Sequence, residues 1–439
     1  MTAAPNTIVI GAGPSGLVAC KTLAEWGVSY QCFEAGSRVG GQWVLGSSSG
    51  MSSAYRSLRA NTHTGMCRYQ DYGWPADAPP FPSHEEMASW FEGYVDHFGL
   101  RQQIRLDARV EQVTRRDAES GGWRVRLASG EQTECDALIL ASGNLWDPVL
   151  PKLEGELDGP VIHAKAYMDP RDPVDCVGKR VCMVGLGNTA CELAVELSQP
   201  GVASEVLLSC RSGQTFLPKL VAPVPHPSEP LTGLLRWLPG PARQAMFRAI
   251  FPKVVSKLSG ARPRPEDVGL PPPPRDPFEK RVVVNDHILE RLRDGAIRAK
   301  PGIRKLSGAK IEFTDGSSEE VDVLIMATGY RFSLPLFGKG LPGFEDGDLS
   351  LYRGLMHPRL HDLFVIGVMK AVCSIWPRSE QQMRFIAPLL AGEYALPSQR
   401  EIDRQSYPVL GVPYSNCQFY THDLGVELAR GRRRAAKGG

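Results

Sequence analysis

Two glycine-rich turns are the part of this 439-residue sequence whose residue types and spacing most directly indicate chemistry. One occupies residues 11–16, directly after the apolar run Thr7–Ile10, and the other occupies residues 185–190, after Arg180–Val184. Glycine lets a backbone turn tightly beside a diphosphate, and a helix that starts there directs unpaired N–H groups toward it. Both turns therefore predict a dinucleotide site. The residues expected to bind the diphosphates are Gly11, Gly13, Pro14, Ser15 and Gly16 in the first turn and Gly185, Gly187, Asn188 and Thr189 in the second.

The residue that follows the second strand of each repeat differs in charge. Ser29–Phe33 is predicted to be a strand that ends at Glu34, which could accept hydrogen bonds from both hydroxyls of an adenosine ribose. Glu205–Ser209 is the matching strand, and Arg211 and Ser212 follow it, with Lys219 further on. A carboxylate would repel a 2′-phosphate, whereas an arginine can bind one through charge-assisted hydrogen bonds. The first site is therefore expected to prefer an unphosphorylated ribose, and the second to prefer NADPH.

These turns belong to two copies of one architecture. In each copy a strand, a glycine turn, a helix and a strand follow one another, and each copy ends on Asp-x-Leu-Ile-x-Ala-Ser/Thr-Gly, at 136–143 and 322–329. This alternation predicts an α/β fold with two Rossmann-like dinucleotide-binding domains, the second inserted in the first. We predict the first domain at 1–155 and 326–439, and the second at 156–325 with a proline-rich insert at about 214–280.

The segments after residue 329 are expected to complete the first domain. Leu363–Ile366 is predicted to be a buried strand, and residues 380–395 are predicted to form a helix. The basic, glycine-containing tail Arg430–Gly439 is expected to be frayed.

Composition argues against several classes of protein. The net charge of +2 gives no reason to expect a nucleic-acid partner, and no apolar run is long enough for a transmembrane anchor, so we expect a soluble, cytoplasmic protein. The ten cysteines form no Cys-x-x-Cys pair, which argues against a disulfide reductase, and the nine histidines show no metal-ligand spacing. Two glycine turns argue against a simple NAD dehydrogenase.

The segment 231–265 carries seven basic residues and no acidic one. Contact of this segment with a membrane stays open, and a substrate-side lid is the simpler interpretation.

With these motifs identified, the sequence resembles the flavin-containing monooxygenases, the class B flavoprotein monooxygenases, over nearly its whole length. The most specific match is 157–167, which follows the family pattern Phe-x-Gly-x-x-x-His-x-x-x-Phe/Tyr except at Leu157. In the family this histidine, here His163, helps to position the NADP-binding domain over the flavin. Residues 40–43 are similar to the family's Gly-Gly-x-Trp beside the flavin, and 327–330 to its Ala-Thr-Gly-Tyr crossover.

The resemblance implies that the first domain binds FAD and the second NADPH. Asn61 matches the asparagine that the family places beside the reactive flavin carbon, although Thr64 stands near the place of the lysine that usually follows. Residues 376–381 are similar to the family's C-terminal stretch near the isoalloxazine. The further cofactor-binding residues expected are Gly41, Gln42, Trp43, Asn61, Thr62, Val110, Ser142, Gly143, Ala327, Thr328, Gly329 and Gln381, with no metal.

The function that the resemblance implies is an NADPH- and FAD-dependent monooxygenation. NADPH reduces FAD, O2 adds to give a C4a-hydroperoxyflavin, and one oxygen atom is transferred to the nitrogen or sulfur of a small amine or sulfide. Two alternatives stay open. Baeyer–Villiger enzymes oxygenate ketones, but their motif ends in Trp followed by Pro or Asp, where this chain has Tyr167 and Met168. A non-oxygenating flavoprotein would oxidise NADPH and release only peroxide. The sequence leaves a homodimer open.

Overall fold

A computed structural model describes residues 6–117, 121–219, 238, 240–259, 262–276, 279–338, 341–342, 344–345, 348–369, 374–410 and 417–438. The chain divides into two compact units. Unit 1 comprises Met1–Ser52, Thr62–Asp147 and Arg331–Gly439, and unit 2 comprises Ser53–Asn61 and Pro148–Tyr330. Strands β1–β24 and helices α1–α8 are numbered in chain order.

Unit 1 is built on a five-stranded parallel sheet. In sheet order its strands are β23 (Leu363–Val365), β7 (Ala137–Leu140), β1 (Thr7–Ile10), β2 (Tyr30–Phe33) and β3 (Ile104–Arg105). Every residue of β1 and β7 is buried, as expected for central strands covered on both faces. The helices of unit 1 are α1 (Pro14–Glu25), α2 (His84–His97), α6 (Ile375–Leu390), α7 (Gln399–Arg404) and α8 (Cys417–Gly438).

Two small antiparallel sheets complete unit 1. One contains β4 (Val110–Arg115), β5 (Trp123–Leu127) and β6 (Gln132–Cys135), and the other contains β21 (Phe344–Glu345), β22 (Asp348–Tyr352) and β24 (Ser406–Pro408). The prediction that Leu363–Ile366 returns to the first sheet is confirmed, because β23 pairs with β7 in parallel. The helix predicted at 380–395 is α6, which starts five residues earlier and packs against α1.

Unit 2 repeats the same design. In sheet order its five parallel strands are β10 (Val161–His163), β19 (Val323–Met326), β11 (Arg180–Val184), β12 (Glu205–Ser209) and β15 (Arg298–Lys300). Its helices are α3 (Asn188–Leu197), α4 (Gly240–Ser259) and α5 (Ile288–Arg293). A second sheet contains β9 (Glu154–Leu157), β16 (Ile303–Gly308), β17 (Lys310–Phe313) and β18 (Ser318–Glu320), and a two-stranded pair contains β13 (Phe216–Leu217) and β14 (Val283–Val284). The short strands β8 (Asp147–Pro148) and β20 (Tyr330–Arg331) lie where the chain passes between units.

The two units differ from the predicted division at one internal segment. Residues 53–61, which we call the strap, lie in sequence within the first predicted domain but group with unit 2. Tyr55 of the strap is 3% exposed and belongs to a hydrophobic cluster of unit 2 that includes Tyr167 and Ala190. The remaining unit boundaries fall at 147/148 and 330/331 rather than at 155 and 325.

The proline-rich insert is described only in part. Residues 220–237 and 260–261 lie outside the described residues, so the lid and membrane interpretations of 231–265 stay predictions. In the part of the chain that the structure describes, no helix has the length and apolar character needed to cross a membrane.

The prediction of a frayed C-terminal tail is wrong, because α8 continues to Gly438. The buried carboxylate of Glu427, whose side chain is 0% exposed, anchors this helix. It accepts hydrogen bonds from Arg434 Nη2 at 2.6 Å, Tyr394 Oη at 3.0 Å and Arg353 Nη2 at 3.3 Å. The tail is therefore helical because Arg434 binds the same buried carboxylate as Arg353 and Tyr394.

Glu427→Ala is expected to destabilise unit 1 by about 3–5 kcal/mol, because it leaves the guanidinium of Arg353 poorly solvated and without its carboxylate. Urea unfolding followed by circular dichroism measures the effect. Glu393→Ala is the control, since Glu393 forms an exposed pair with Arg432 at 3.7 Å and its loss should cost below about 1 kcal/mol. Equal losses in the two variants would contradict the anchoring role of Glu427.

Candidate functional site

The first glycine turn brings a helix against the end of β1. Helix α1 has Gly13 as its N-cap and Pro14 in its first turn. Gly11 has a φ of +100°, and a Cβ atom there would lie 2.7 Å from the carbonyl oxygen of Ala141. A Cβ atom on Gly16 would overlap the carbonyl oxygen of Gly11. The protein's own packing therefore requires glycine at 11 and 16.

Gly13 is under no such internal constraint. Its φ of −74° suits any residue, and the nearest atom to a Cβ atom placed there would be Gly41 Cα at 3.5 Å. The surrounding protein therefore does not require glycine at position 13. The effect of Gly13 is to leave the N-terminus of α1 without a side chain at its N-cap. The backbone N–H groups at that terminus are thus open to an anionic group.

Glu34 stands at the end of β2 with its carboxylate oriented by backbone donors. Ala12 N–H donates to Oε2 at 2.6 Å and Gly36 N–H donates to Oε1 at 2.8 Å. Burial raises the pKa of Glu34, and the hydrogen bonds from Ala12 and Gly36 oppose that rise, as does the charge of Arg109. The residue is 8% exposed. A carboxylate has about four acceptor positions, so it can still accept hydrogen bonds from a ribose.

Two residues from the C-terminal part of unit 1 contact this turn. Ser15 Oγ lies 2.7 Å from Ser379 Oγ of α6, and both side chains are buried. A Cβ atom on Gly367, which has a φ of +76°, would overlap Ser15 Oγ. Ser379 lies in the segment 376–381 that the sequence singled out, but its contact with Ser15 and the contact of Gly367 could not be predicted, because both residues follow Ser15 by more than 350 positions and only the fold joins them.

The Gly-Gly-Gln-Trp segment lies in the same unit. Gln42 Nε2 donates to the carbonyl of Leu145 at 2.6 Å, which ties the segment to the loop after β7. The ring of Trp43 meets that of Trp376 edge to face, with centroids 6.0 Å apart. Ser142 and Gly143 begin the loop after β7, and Gly143 has a φ of +71° with open space on its Cβ side.

The second turn reproduces the first with one difference. Gly185 has a φ of +125°, and a Cβ atom there would overlap the carbonyl oxygen of Ala327. Gly187 is the N-cap of α3, and no atom lies within 4 Å of a Cβ position on it. Ala190, in place of the third glycine, is fully buried. The amide oxygen of Asn188 accepts a hydrogen bond from Val284 N–H at 2.8 Å, so this side chain secures β14.

Basic side chains cluster after β12. Arg211 is exposed, and its aliphatic stem packs on Gly302, where a Cβ atom would lie 2.9 Å from Arg211 Cγ. Lys280 Nζ donates to Ser212 Oγ at 2.6 Å and to the carbonyl of Gly213 at 3.3 Å. Sequence reasoning missed Lys280 because it lies 68 residues from Ser212 in the chain. Arg211, Ser212 and Lys280 together form a cationic group that suits a phosphate dianion.

His163 is held in unit 2 by both ring nitrogens. Lys165 N–H donates to Nδ1 at 3.0 Å, so the neutral ring carries its proton on Nε2, which lies 3.2 Å from the carbonyl of Gly329. The ring also meets Tyr330 edge to face at 5.3 Å. Burial lowers the pKa of His163, which favours this neutral form. The histidine thus secures the Ala-Thr-Gly-Tyr segment, in which Thr328 Oγ1 also donates to the carbonyl of Val149.

The predicted site residues divide between the two units. Unit 1 holds Gly11, Gly13, Pro14, Ser15, Gly16, Glu34, Gly41, Gln42, Trp43, Thr62, Val110, Ser142, Gly143 and Gln381, and unit 2 holds Asn61, Gly185, Gly187, Asn188, Thr189, Arg211, Ser212, Ala327, Thr328 and Gly329. Val110 begins β4 and Gln381 lies on α6, and both are half-buried. Asn61 is the last residue of the strap, immediately before the chain re-enters unit 1.

In the described part of the chain, no group of three or more His, Cys, Asp or Glu residues could hold a metal ion. Eight of the cysteines there, between Cys20 and Cys210, are buried and free.

Comparison with known proteins gives consistent results. The family model described as "Flavin-binding monooxygenase-like" matches residues 4–406. The chain is 31% identical over 415 residues to mouse "Dimethylaniline monooxygenase [N-oxide-forming] 2", covering 90% of this chain and 75% of that protein. Among solved structures, S-allyl-L-cysteine S-oxygenase from Allium sativum aligns with a TM-score of 0.66 and 20% identity, covering 99% of this chain and 91% of that one. Cyclohexanone monooxygenase from Rhodococcus sp. Phi1 bound to NADP+ aligns with a TM-score of 0.70 and 18% identity over 99% of both chains. At these identities the structures establish the likeness of fold.

Substitutions at two glycines of the first turn should separate folding from ligand binding. Gly16→Ala is expected to destabilise the protein by about 1–3 kcal/mol through overlap with the backbone at Gly11. Gly13→Ala should keep wild-type stability yet bind FAD at least about tenfold more weakly, because its methyl group would occupy the path predicted for the diphosphate. Thermal unfolding and flavin absorbance measure the two effects. Wild-type FAD affinity in Gly13→Ala would show that residues 11–16 do not hold the diphosphate.

Proposed function

The chain belongs to the flavin-binding monooxygenase-like family of enzymes, and we propose that it uses FAD in unit 1 and NADPH in unit 2 to insert one oxygen atom from O2 into a soft nitrogen or sulfur nucleophile. The observation that carries the proposal is the contrast between two equivalent sheets. A buried carboxylate ends the second strand of one, and a cationic group follows the second strand of the other.

The assignment of FAD to unit 1 rests on Glu34 and the turn beside it. The buried carboxylate, aligned by Ala12 and Gly36, would accept hydrogen bonds from both ribose hydroxyls and would repel a 2′-phosphate. The N-terminus of α1, with no side chain at Gly13, would face the diphosphate. Gln42, Trp43, Ser142 and Gly143 would line the flavin side of the same unit.

The assignment of NADPH to unit 2 rests on Arg211, Ser212 and Lys280. Two cations and a hydroxyl can neutralise and hydrogen-bond a 2′-phosphate, whereas NADH offers them only a neutral hydroxyl. Gly187 leaves the start of α3 open to the coenzyme diphosphate. His163 would help by holding the segment 327–330 in place, since its ring is bonded on both sides.

Bound FAD would supply the oxygen-activating chemistry, and NADPH would supply the electrons. The residues of the chain bind both nucleotides, orient them and exclude water around the reacting atoms. We assign Asn61 to orienting the oxygen-bearing edge of the site, because its side-chain amide can both donate and accept hydrogen bonds. No acid–base triad is required for this role.

Nitrogen or sulfur oxygenation is favoured over ketone oxygenation. The relatives at about 30% identity include proteins named as N-oxide-forming, and the motif that begins at Leu157 ends in Tyr167 and Met168 rather than in Trp followed by Pro or Asp. Ketone oxygenation and peroxide release without oxygenation are the two outcomes that would replace this assignment.

Arg211→Ala is expected to raise the Michaelis constant for NADPH by about 10–100-fold and to leave that for NADH nearly unchanged. Hydrogen bonds to charged groups contribute about 1.5–3 kcal/mol, which corresponds to this range. Steady-state NAD(P)H oxidation measures both constants. Arg264→Ala is the control, since Arg264 is an exposed arginine of unit 2 paired with Asp267. An equal effect on the two coenzymes would mean that Arg211 has a structural role.

The proposed activity is tested by comparing wild type and Asn61→Ala on a panel of amines, sulfides and ketones. Wild type should release FAD on denaturation and convert amines or sulfides to N- or S-oxides. Asn61→Ala should still be reduced by NADPH but should divert most electrons to hydrogen peroxide. The measurements are NADPH consumption, peroxide release and product analysis.

Four results would contradict parts of the proposed function. Recovery of FMN would remove the FAD assignment. Esters from ketones with untouched amines and sulfides would establish Baeyer–Villiger activity, and peroxide alone on every substrate would establish a non-oxygenating flavoprotein. Wild-type coupling in Asn61→Ala would show that the asparagine only packs.

A further inference from the structure

The strap is held to unit 2 by a series of polar contacts. Tyr55 Oη donates to Glu192 Oε2, and Ser57 forms a side-chain hydrogen bond with Glu196. Ser53 hydrogen-bonds Tyr330, the residue whose ring meets His163. The hydroxyls stand at alternate positions, 53, 55 and 57.

Backbone and charge contacts reinforce the same attachment. Arg56 N–H donates to the carbonyl of Met168 at 2.8 Å, and Arg56 Nε lies 3.0 Å from Asp169 Oδ2. Ala54 and Ala60 are each 2% exposed, and Leu58 packs against the hydrophobic cluster that contains Tyr55. The strap is therefore an integral part of unit 2, although both of its ends continue into unit 1.

Glu192 and Glu196 are neighbouring carboxyl groups whose negative charges would repel each other without compensating partners. They lie one helical turn apart on the same face of α3, and burial raises the pKa of each carboxyl group. Only 16% of the Glu192 side chain is exposed. The charges are compensated by Tyr55 and by Lys219, whose Nζ lies 3.7 Å from Glu192 Oε1. Glu196 also accepts a hydrogen bond from Tyr167 Oη at 3.0 Å. The strap therefore supplies one of the partners of each glutamate on α3.

Helix α3 and the strap each have one end at a position with a proposed role. Gly187 is the N-cap of α3, where the coenzyme diphosphate would bind, and Asn61 is the last residue of the strap. We propose that Glu192 and Glu196 are positioning residues that couple coenzyme binding at the start of α3 to the placement of Asn61 through Tyr55 and Ser57. This inference rests on the proposed function both for the coenzyme site at the start of α3 and for the role of Asn61.

Hydrogen–deuterium exchange of the FAD-loaded enzyme, with and without NADP+, tests the coupling. In wild type, NADP+ should slow exchange in both α3 and the strap. In Tyr55→Phe the ring packing is kept and the hydroxyl is lost, so strap exchange should rise about tenfold and NADP+ should protect α3 alone. Ser57→Ala should act in the same direction, and because Ser57 is exposed this variant keeps the result interpretable if Tyr55→Phe fails to fold.

Tyr394→Phe is the matched control, because Tyr394 is a buried tyrosine that donates to a buried glutamate, Glu427, in unit 1. It should lower the global stability of the protein as Tyr55→Phe does, while leaving strap exchange and its response to NADP+ as in wild type. Strap protection by NADP+ in Tyr55→Phe and Ser57→Ala equal to that in wild type would overturn the proposal. The same loss of strap protection in Tyr394→Phe would also overturn it.

Turnover distinguishes this proposal from the proposed function. If wild type forms N- or S-oxides, Tyr55→Phe should keep its rate of flavin reduction within about twofold and release a larger fraction of electrons as peroxide. An unchanged peroxide fraction together with a loosened strap would overturn the positioning role. If wild type forms no oxygenated product, the proposed function fails, and the exchange response to NADP+ still decides whether Glu192 and Glu196 couple the strap to α3.

Discussion

In both units a helix begins where a central parallel strand ends, and the backbone between them touches the neighbouring strand. At Gly11 and Gly185 a side chain does not fit, because a Cβ atom would meet the carbonyl oxygen of Ala141 or Ala327, just after the neighbouring strand. This close approach sets the starts of α1 and α3 at the ends of β1 and β11, where the first N–H groups of each helix have no partner within the helix. Both proposed nucleotide sites depend on that constraint, and the remaining residues adjust which nucleotide each would bind.

The nucleotide that each proposed site would favour depends on the burial of its charged residues as well as on their charge. Glu34 is almost fully buried and its carboxylate is aligned by backbone N–H groups, which suits neutral ribose hydroxyls. Arg211 is exposed and Lys280 reaches its neighbour Ser212 from a distant part of the chain. Cations at the surface can meet a phosphate dianion without the desolvation cost that a buried arginine would carry. In the proposed function, two copies of one fold would thereby acquire opposite preferences for a 2′-phosphate.

The strap is a segment of unit 2 that lies in sequence between two parts of unit 1. The chain passes between the units four times, and the shortest excursion, residues 53–61, carries Asn61 at its end. Its hydroxyl groups compensate two glutamates on the helix that begins at the second glycine turn. Folding of α3 and placement of Asn61 are therefore linked by the same hydrogen bonds, and this linkage is the physical basis for expecting coenzyme binding to reach the strap.

Much of the architecture could be predicted from local sequence. The bounds of β1, β11 and β12 match the predicted strands residue for residue, because unbroken apolar runs next to glycine turns leave few alternatives. The contrast between Glu34 and Arg211 could also be predicted from the sequence. The strand, turn and helix of such a unit have nearly constant lengths, so the charged residue follows the glycine turn at a nearly constant distance.

The tertiary structure decided what depends on distant parts of the chain. Ser379 meets Ser15, and Lys280 meets Ser212, across separations that no local pattern records. The strap groups with unit 2 because Tyr55 and Leu58 pack in its hydrophobic cluster and Tyr55 donates a hydrogen bond to Glu192. The tail formed a helix because Glu427 gathers Arg353, Tyr394 and Arg434 around one buried carboxylate. Sequence determines which backbone segments can form, whereas the partners of buried polar groups are settled only when the chain is packed, because desolvation makes each of them find a donor or acceptor wherever the fold supplies one.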